Sequence, residues 1–368
     1  MTPPRRIAPL AVAVSAGLVV DLAHAEALTE RATLEGQTAP ATRVATGAPT
    51  AGPWTLGVEA FALYSHRLSG EGEPSSDGRF DLGRLHVGAR YQRDAFTGRV
   101  VLEGVRSTAD GALVGVAGDS LVVRAREAYG EYRLPGDVAV RAGVVPTLTI
   151  PAIEGTWLLR AVTATPLEQF RLATPADAGA QAQWTLPQGL GSLAAGVTNG
   201  EGYASREFDL GKTGELALTL RPLAGIGVRA LTLFGSGSRG TLGASSARND
   251  RATGAVLWQG ARLRAGVTYT QGWGLAGDGA MRPTLLEAFV SGEPFEGVLL
   301  GARATRFVLD ARGAEPRAEA IVASAGYRVE PELELHLVAD IGRANDAARL
   351  AQPAADRSEV RVVLRALF

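Results

Sequence analysis

The 368-residue chain contains no cysteine, so a disulfide, a thiolate zinc site and a cysteine nucleophile are excluded. Lysine is almost absent. Of 37 basic residues Lys212 is the one lysine, and the rest are arginine. Aromatic residues make up 6%. The formal net charge is −1, which gives neither the basic footprint of a nucleic-acid binder nor an acidic tail. A long hydrophobic run is also missing. The best one, from Ile7 to Val20, is too short to span a bilayer comfortably. It follows Arg5-Arg6 and precedes Ala23-His24-Ala25, the layout of a secretory signal peptide. Residues 1–25 are therefore expected to be a signal peptide cleaved before Glu26. A protein exported this way, with no transmembrane helix, is periplasmic, secreted or a barrel in an outer membrane.

Residues 26–53 are expected to form a short helix-compatible segment, Glu26 to Gln37, and a Pro/Thr/Ala linker. From Trp54 to Phe368 no sustained helical period appears. Segments of alternating apolar and small or polar residues are separated by Gly, Pro and Asp clusters, the texture of strands and turns. The separators take turns. Short ones lie at 94–98, 134–137, 186–191, 222–225, 258–261, 292–297 and 329–332. Long ones lie at 67–79, 107–120, 146–176, 199–213, 236–250, 272–283, 309–317 and 343–357. Seven short turns and eight long loops connect sixteen strands. The expected fold is all-β: a closed transmembrane antiparallel barrel over 54–368, with short periplasmic turns and longer extracellular loops.

Parity within the strands supports this reading. In GRLHVGARY, Gly83, Leu85, Val87, Ala89 and Tyr91 oppose Arg84, His86, Gly88 and Arg90. In the last segment, Val360, Val362, Leu364, Ala366 and Phe368 oppose Glu359, Arg361, Val363, Arg365 and Leu367. Two segments are ambiguous: LVVRAREAYGEY carries charges on both parities, and RAEAIVASAGYR is weakly patterned. A soluble sandwich also alternates. In a barrel the apolar parity faces lipid and the polar parity lines the interior. The signal peptide, the unequal connections and the terminal strand favour the barrel. An open edge in hydrocarbon would leave backbone groups unpaired, so the last strand is expected to close onto the first. Trp54, Tyr64, Tyr91, Trp258, Tyr269, Tyr327 and Phe368 fall near strand ends on the apolar parity, where an interfacial aromatic belt would sit.

The segments REAYGEYRLPGDVAVRAGVVPTLTIP (Arg126 to Pro151), AGVTNGEGY (Ala195 to Tyr203) and EFDLGKTGELALTLRPLAG (Glu207 to Gly225) resemble the phosphate-selective porin O/P family. The local motifs cover roughly 126–225. The resemblance implies a sixteen-strand outer-membrane barrel, a homotrimer, and extracellular loops folded into the pore. Phosphate selectivity in that family is attributed to an arginine ladder with a lysine cluster. This chain has Lys212 alone, in a long loop, so the resemblance implies a porin rather than a dedicated phosphate channel.

With the polar parity inward, Arg84, Arg90, Arg99, Arg141, Arg221, Arg229, Arg262, Arg264, Arg303, Arg361 and Arg365 point into the lumen. They face Glu59, Glu103, Asp137, Glu215, Glu287, Glu332, Glu334, Asp340 and Glu359, a small positive excess. Arginine rings favour anions, and the planar guanidinium suits carboxylate or phosphate. The competing expectation is that these groups pair and stiffen the wall. The longest loop, 146–176, carries Trp157, Arg160, Glu168 and Arg171. Arg160 and Arg171 are the candidate constriction residues, and the alternative for this loop is to seal the centre of a trimer. Phe368, closing an alternating strand, is the candidate signal for the barrel-assembly machinery.

The sequence has no GxSxG elbow, no P-loop, no dinucleotide-binding glycine motif and no metal-ligand spacing. His86 and His336 read as lumen residues. No enzyme activity, cofactor, metal or nucleic-acid partner is expected. The function expected is a water-filled outer-membrane channel for small hydrophilic solutes with weak anion preference. The alternatives are a non-channel adhesin or structural barrel and a barrel lipid hydrolase.

Overall fold

The computed structural model describes residues 53–69, 78–106, 121–205, 207, 210–312, 317–346, 348 and 353–368. The expected signal peptide and nearly all of the expected linker, residues 1–52, lie outside them. Sixteen antiparallel strands close into one barrel. In chain order they are β1 (Trp54–Ser69), β2 (Arg79–Arg93), β3 (Phe96–Arg106), β4 (Leu121–Leu134), β5 (Val138–Pro146), β6 (Ala176–Leu186), β7 (Gly191–Thr198), β8 (Thr213–Leu220) and β9 (Leu231–Arg239). A small hairpin, β10 (Thr241–Leu242) with β11 (Ala247–Arg248), sits in the next loop outside the barrel sheet. The barrel continues with β12 (Asp250–Gln259), β13 (Leu263–Trp273), β14 (Thr284–Phe295), β15 (Val298–Val308), β16 (Arg317–Glu330), β17 (Leu333–Ala344) and β18 (Ser358–Leu367). Each expected short turn and long loop corresponds to one connection between consecutive barrel strands, although several expected bounds run into the strands, as 292–297 does into β14 and 236–250 into β9.

The seam is a continuous ladder with one register shift, between Arg67 and Ser69. β1 pairs with β18 from Glu59↔Leu367 to Ser69↔Ser358. Val58 and Phe368 then exchange two backbone hydrogen bonds, each 2.9 Å, so pairing continues to the last residue. Closure leaves no open edge among the sixteen strands.

The faces are inverted relative to a water-soluble protein. On β13 Val267 is 52% exposed and points outward, while its neighbour Thr268 is 1% exposed and points inward. The same alternation runs along β12, where Val256 and Trp258 are exposed and Ala255 and Leu257 are buried. An outer surface of this composition suits hydrocarbon. Near the short-turn end it carries exposed Trp54, Tyr132, Trp184, Trp258, Tyr327 and Phe368. Tyr132 and Trp184 extend the aromatic set expected from sequence.

A β-bulge explains the first ambiguous segment. Val101 pairs with Glu127 and Leu102 with Ala125, so Arg126 has no ladder partner on β3. The extra residue switches parity within β4. Arg124, Arg126, Glu127 and Glu131 all turn inward, although they occupy both sequence parities.

The core lies inside the barrel. Helix α1 (Ile150–Trp157) and the short α2 (Pro166–Gln169) belong to the loop between β5 and β6. Pro151 and Pro166 sit in the first turns of these helices, where a missing N–H costs nothing. Leu158 ends α1 in the left-handed region, at φ 58°. Ile150, Ile153, Trp157, Leu159, Leu167 and Phe170 form one buried cluster with wall residues Phe234, Leu257, Leu285, Phe289 and Phe307. Gly301 on β15 makes the close approach possible, because a Cβ there would lie 2.4 Å from Leu159 Cδ1.

Candidate functional site

The loop between β5 and β6 is held against one wall by polar contacts as well as apolar ones. Thr149 meets Ser236 of β9 at 2.7 Å. Gln259 at the end of β12 donates to Thr156 at 2.8 Å. Arg264 of β13 donates to the carbonyl of Gly155 at 3.1 Å. Ser291 of β14 donates to the carbonyl of Trp157 at 2.8 Å. Arg303 of β15 donates to the carbonyl of Ala164 at 2.6 Å. Most of these partners are loop carbonyls, which would otherwise be unsatisfied in a buried loop.

Arg303 is the centre of this anchorage. It pairs with Glu287 at 2.9 Å, and both side chains are sealed, at 1% and 0% exposure. The Trp157 ring covers the guanidinium, with Cζ 4.1 Å from the ring centre. Sequence parity places Arg303 in the lumen, and its strand face is inward. The loop nevertheless covers it, so it faces Trp157 and not water.

The far side of the loop reaches the opposite part of the ring. Glu168 accepts from Arg160 at 2.8 and 3.0 Å and from Arg84 of β2 at 3.4 Å. Arg160 also pairs with Glu154 of α1. Arg84 in turn pairs with Glu103 of β3 at 3.2 Å. Glu103 takes two further guanidinium groups, Arg124 at 2.8 Å and Arg126 at 3.1 Å. Here the guanidinium groups of Arg84, Arg124, Arg126 and Arg160 cluster with the carboxylates of Glu103, Glu154 and Glu168. Burial by itself raises the Glu168 carboxyl, but Arg160, Arg84 and Arg126 outweigh it and hold the group below the usual carboxylate range.

A second loop joins the cluster. Tyr203, between β7 and β8, donates to Glu103 at 2.7 Å and accepts from Arg124 at 3.0 Å. The Arg124 guanidinium lies 4.8 Å from the Tyr203 ring centre. Burial pushes the Tyr203 hydroxyl up, so it keeps the proton that it donates. Sequence reading missed Tyr203. Its contact with Glu103 spans a hundred positions, and only the return of a loop into the barrel brings the two together.

The other candidate arginines fall into several settings. Arg141, Arg361 and Arg365 lie on the inner face in pairs: Arg141 with Glu131, Arg361 with Asp340 at 3.3 Å, and Arg365 with Glu59 at 2.7 Å and Glu334 at 2.9 Å. Arg262, Arg264, Arg328 and Arg365, with Glu293 and Glu334, line a chamber of about 280 Å³ beneath the loop on the short-turn side. Arg90 lies on β2, opposite Arg99. Arg221 and Arg229 lie in the β8–β9 turn and Arg262 in the β12–β13 turn, at the rim and not on the strands. Asp137 and Glu332 are likewise turn residues. Arg171 is exposed just after α2, and Lys212 in its loop pairs with Glu207 at 3.4 Å. Among the described residues no group of histidine and acidic side chains is arranged to hold a metal ion.

No protein-family model and no curated protein matches the chain. Solved structures do match. OmpF of Salmonella typhi, in complex with daunomycin, aligns over 86% of this chain and 97% of its own, with a TM-score of 0.63 at 11% identity. OmpT of Vibrio cholerae, in a trimer form, aligns over 87% and 100%, with a TM-score of 0.56 at 11% identity. The outer-membrane channel DcaP of Acinetobacter baumannii aligns over 88% and 100%, with a TM-score of 0.55 at 9% identity. The chain therefore shares the barrel fold of these outer-membrane proteins.

Proposed function

We propose that the protein is an outer-membrane porin, a water-filled channel for passive diffusion of small hydrophilic solutes with a weak preference for anions. The observation that carries this reading is the inverted barrel: an apolar exterior, a charged interior, and a loop that narrows the interior without filling its short-turn end. Fold likeness to OmpF and to the outer-membrane channel DcaP supports it. The trimer form of OmpT supports a homotrimer here as well. Phe368 fits the role of assembly signal, since it completes the seam with Val58 and presents its ring outward.

The anion preference is weak because most lumen arginines are already paired. A paired guanidinium contributes little net field, and the surplus rests on the constriction cluster and the chamber. The local resemblance to phosphate-selective porins supports a porin, and with Lys212 as the one lysine no dedicated phosphate site is proposed. The test is the reversal potential of the reconstituted channel across a potassium chloride gradient. A modest value on the chloride side is expected, and a value on the potassium side contradicts the anion preference.

A further inference from the structure

The bridge between Arg160 and Arg84 has an unusual composition for a structural tie. Its middle member, Glu168, belongs to the loop; one guanidinium partner, Arg160, comes from the same loop and the other, Arg84, from wall strand β2. Arg160 grips both carboxylate oxygens, and Arg84 takes one of them. Arg160 is in turn neutralised by Glu154, and Arg84 by Glu103. Glu168 is thus an anionic side chain seated between two cations where the loop meets the wall at β2. It remains 18% exposed, so the site it fills is open to the lumen.

We propose that Glu168 is a tethered occupant of a carboxylate-binding site formed by Arg84 and Arg160, and that solutes bearing a carboxylate compete with it for that site. The proposal rests on the porin reading and names the solute class that the constriction selects. Two guanidinium groups from facing elements form a donor set suited to a planar carboxylate. A free carboxylate entering the constriction makes the same contacts once Glu168 swings aside. The tethered group lowers the apparent affinity for a solute anion, because the solute must displace it. This keeps binding weak enough for release, which conduction requires. Arg126 adds to the attraction of any anion here, while Glu103 limits it.

Propionate is the appropriate probe, since it reproduces the glutamate side chain from Cβ outward. Its concentration-dependent block of chloride current is measured in planar bilayers for the wild type, Glu168→Gln, Arg84→Gln and Asp310→Asn. Asp310 lies in an exposed loop paired with Arg312, so its substitution removes the same charge away from the constriction. Glu168→Gln is expected to lower the half-blocking concentration at least severalfold. Arg84→Gln is expected to raise it, and Asp310→Asn to leave it at the wild-type value. An unchanged half-block in Glu168→Gln, an unchanged half-block in Arg84→Gln, or an equal shift in Asp310→Asn overturns the tethered-occupant proposal while the channel itself still conducts. A wild-type protein that carries no current overturns the porin reading, and this inference with it.

Discussion

Replacing residues 150–172 with a short glycine–serine linker is expected to raise the single-channel conductance severalfold. The barrel does not need this segment to connect β5 to β6, because Pro146 and Ala176 are already ladder partners and a short connection can join them. What the segment does is occupy the lumen from the wall at β12–β15 across to Arg84 of β2. Its removal widens the narrowest cross-section. It also strips the cover from Leu257, Leu285, Phe289 and Phe307, which are inward-facing and apolar. Burying a large apolar side chain is worth roughly 1.5–3 kcal/mol. The widened barrel should therefore unfold at a lower denaturant concentration than the wild type. Single-channel recording and guanidinium unfolding in detergent check the two parts together. A linker variant with wild-type conductance would show that the loop does not set the aperture.

The second large effect is expected at Arg303. Arg303→Met leaves Glu287 with Thr268 as its one remaining polar partner among the described contacts, at 3.1 Å, and with no counter-charge. Removing one member of a buried ion pair costs about 3–5 kcal/mol, because the other charge stays behind in a low-dielectric site. Two further ties go at the same time: the hydrogen bond to Ala164 and the contact with the Trp157 ring. The variant should lose stability by that amount and show a noisier, less restricted current. Replacing both members, Arg303→Met with Glu287→Leu, should recover most of the stability, since a well-packed apolar pair of similar volume replaces the ions without leaving a charge. Denaturant midpoints of the two variants decide the matter. A single variant as stable as the wild type would mean that Arg303 is not the anchor.

The barrel was legible in the sequence for a local reason. Hydrogen-bonded strands through hydrocarbon force period-2 alternation and force every connection to one end or the other. Each of those signals is written within about ten residues, a strand length in such barrels. The closing of β18 onto β1 followed from the same physics. The segment LVVRAREAYGEY breaks the simple alternation. A bulge at Arg126 switches parity, and a parity count cannot see an inserted residue that the partner strand does not match. RAEAIVASAGYR is weak for a different reason. Ala318 and Val322 on its inner face belong to the buried cluster in which the loop also packs, so the inner face of β16 is apolar there.

The site was harder to read than the fold. Arg160 and Arg84 could each be singled out, one from loop length and one from strand parity. That they share Glu168 could not, since the contact joins positions eighty-four apart across the lumen. Arg303 carries the correct parity and still misses the water, because burial beneath a loop is a tertiary fact. Arg221 and Arg229 take a lumen position only if strand parity extends into the β8–β9 turn, and it does not. The chain leaves the ladder after Leu220, and parity then has no meaning.

The absence of native cysteine permits a direct test of the central claim, that this barrel has lipid outside and water inside. Arg361 and Val362 are neighbours on β18 with opposite faces. Single variants Arg361→Cys and Val362→Cys, reconstituted in bilayers, are treated with a charged, membrane-impermeant thiol reagent while current is recorded. Arg361→Cys is expected to react with loss of current, and Val362→Cys is expected neither to react nor to change its current. Reaction at position 362 with none at 361 would contradict that claim.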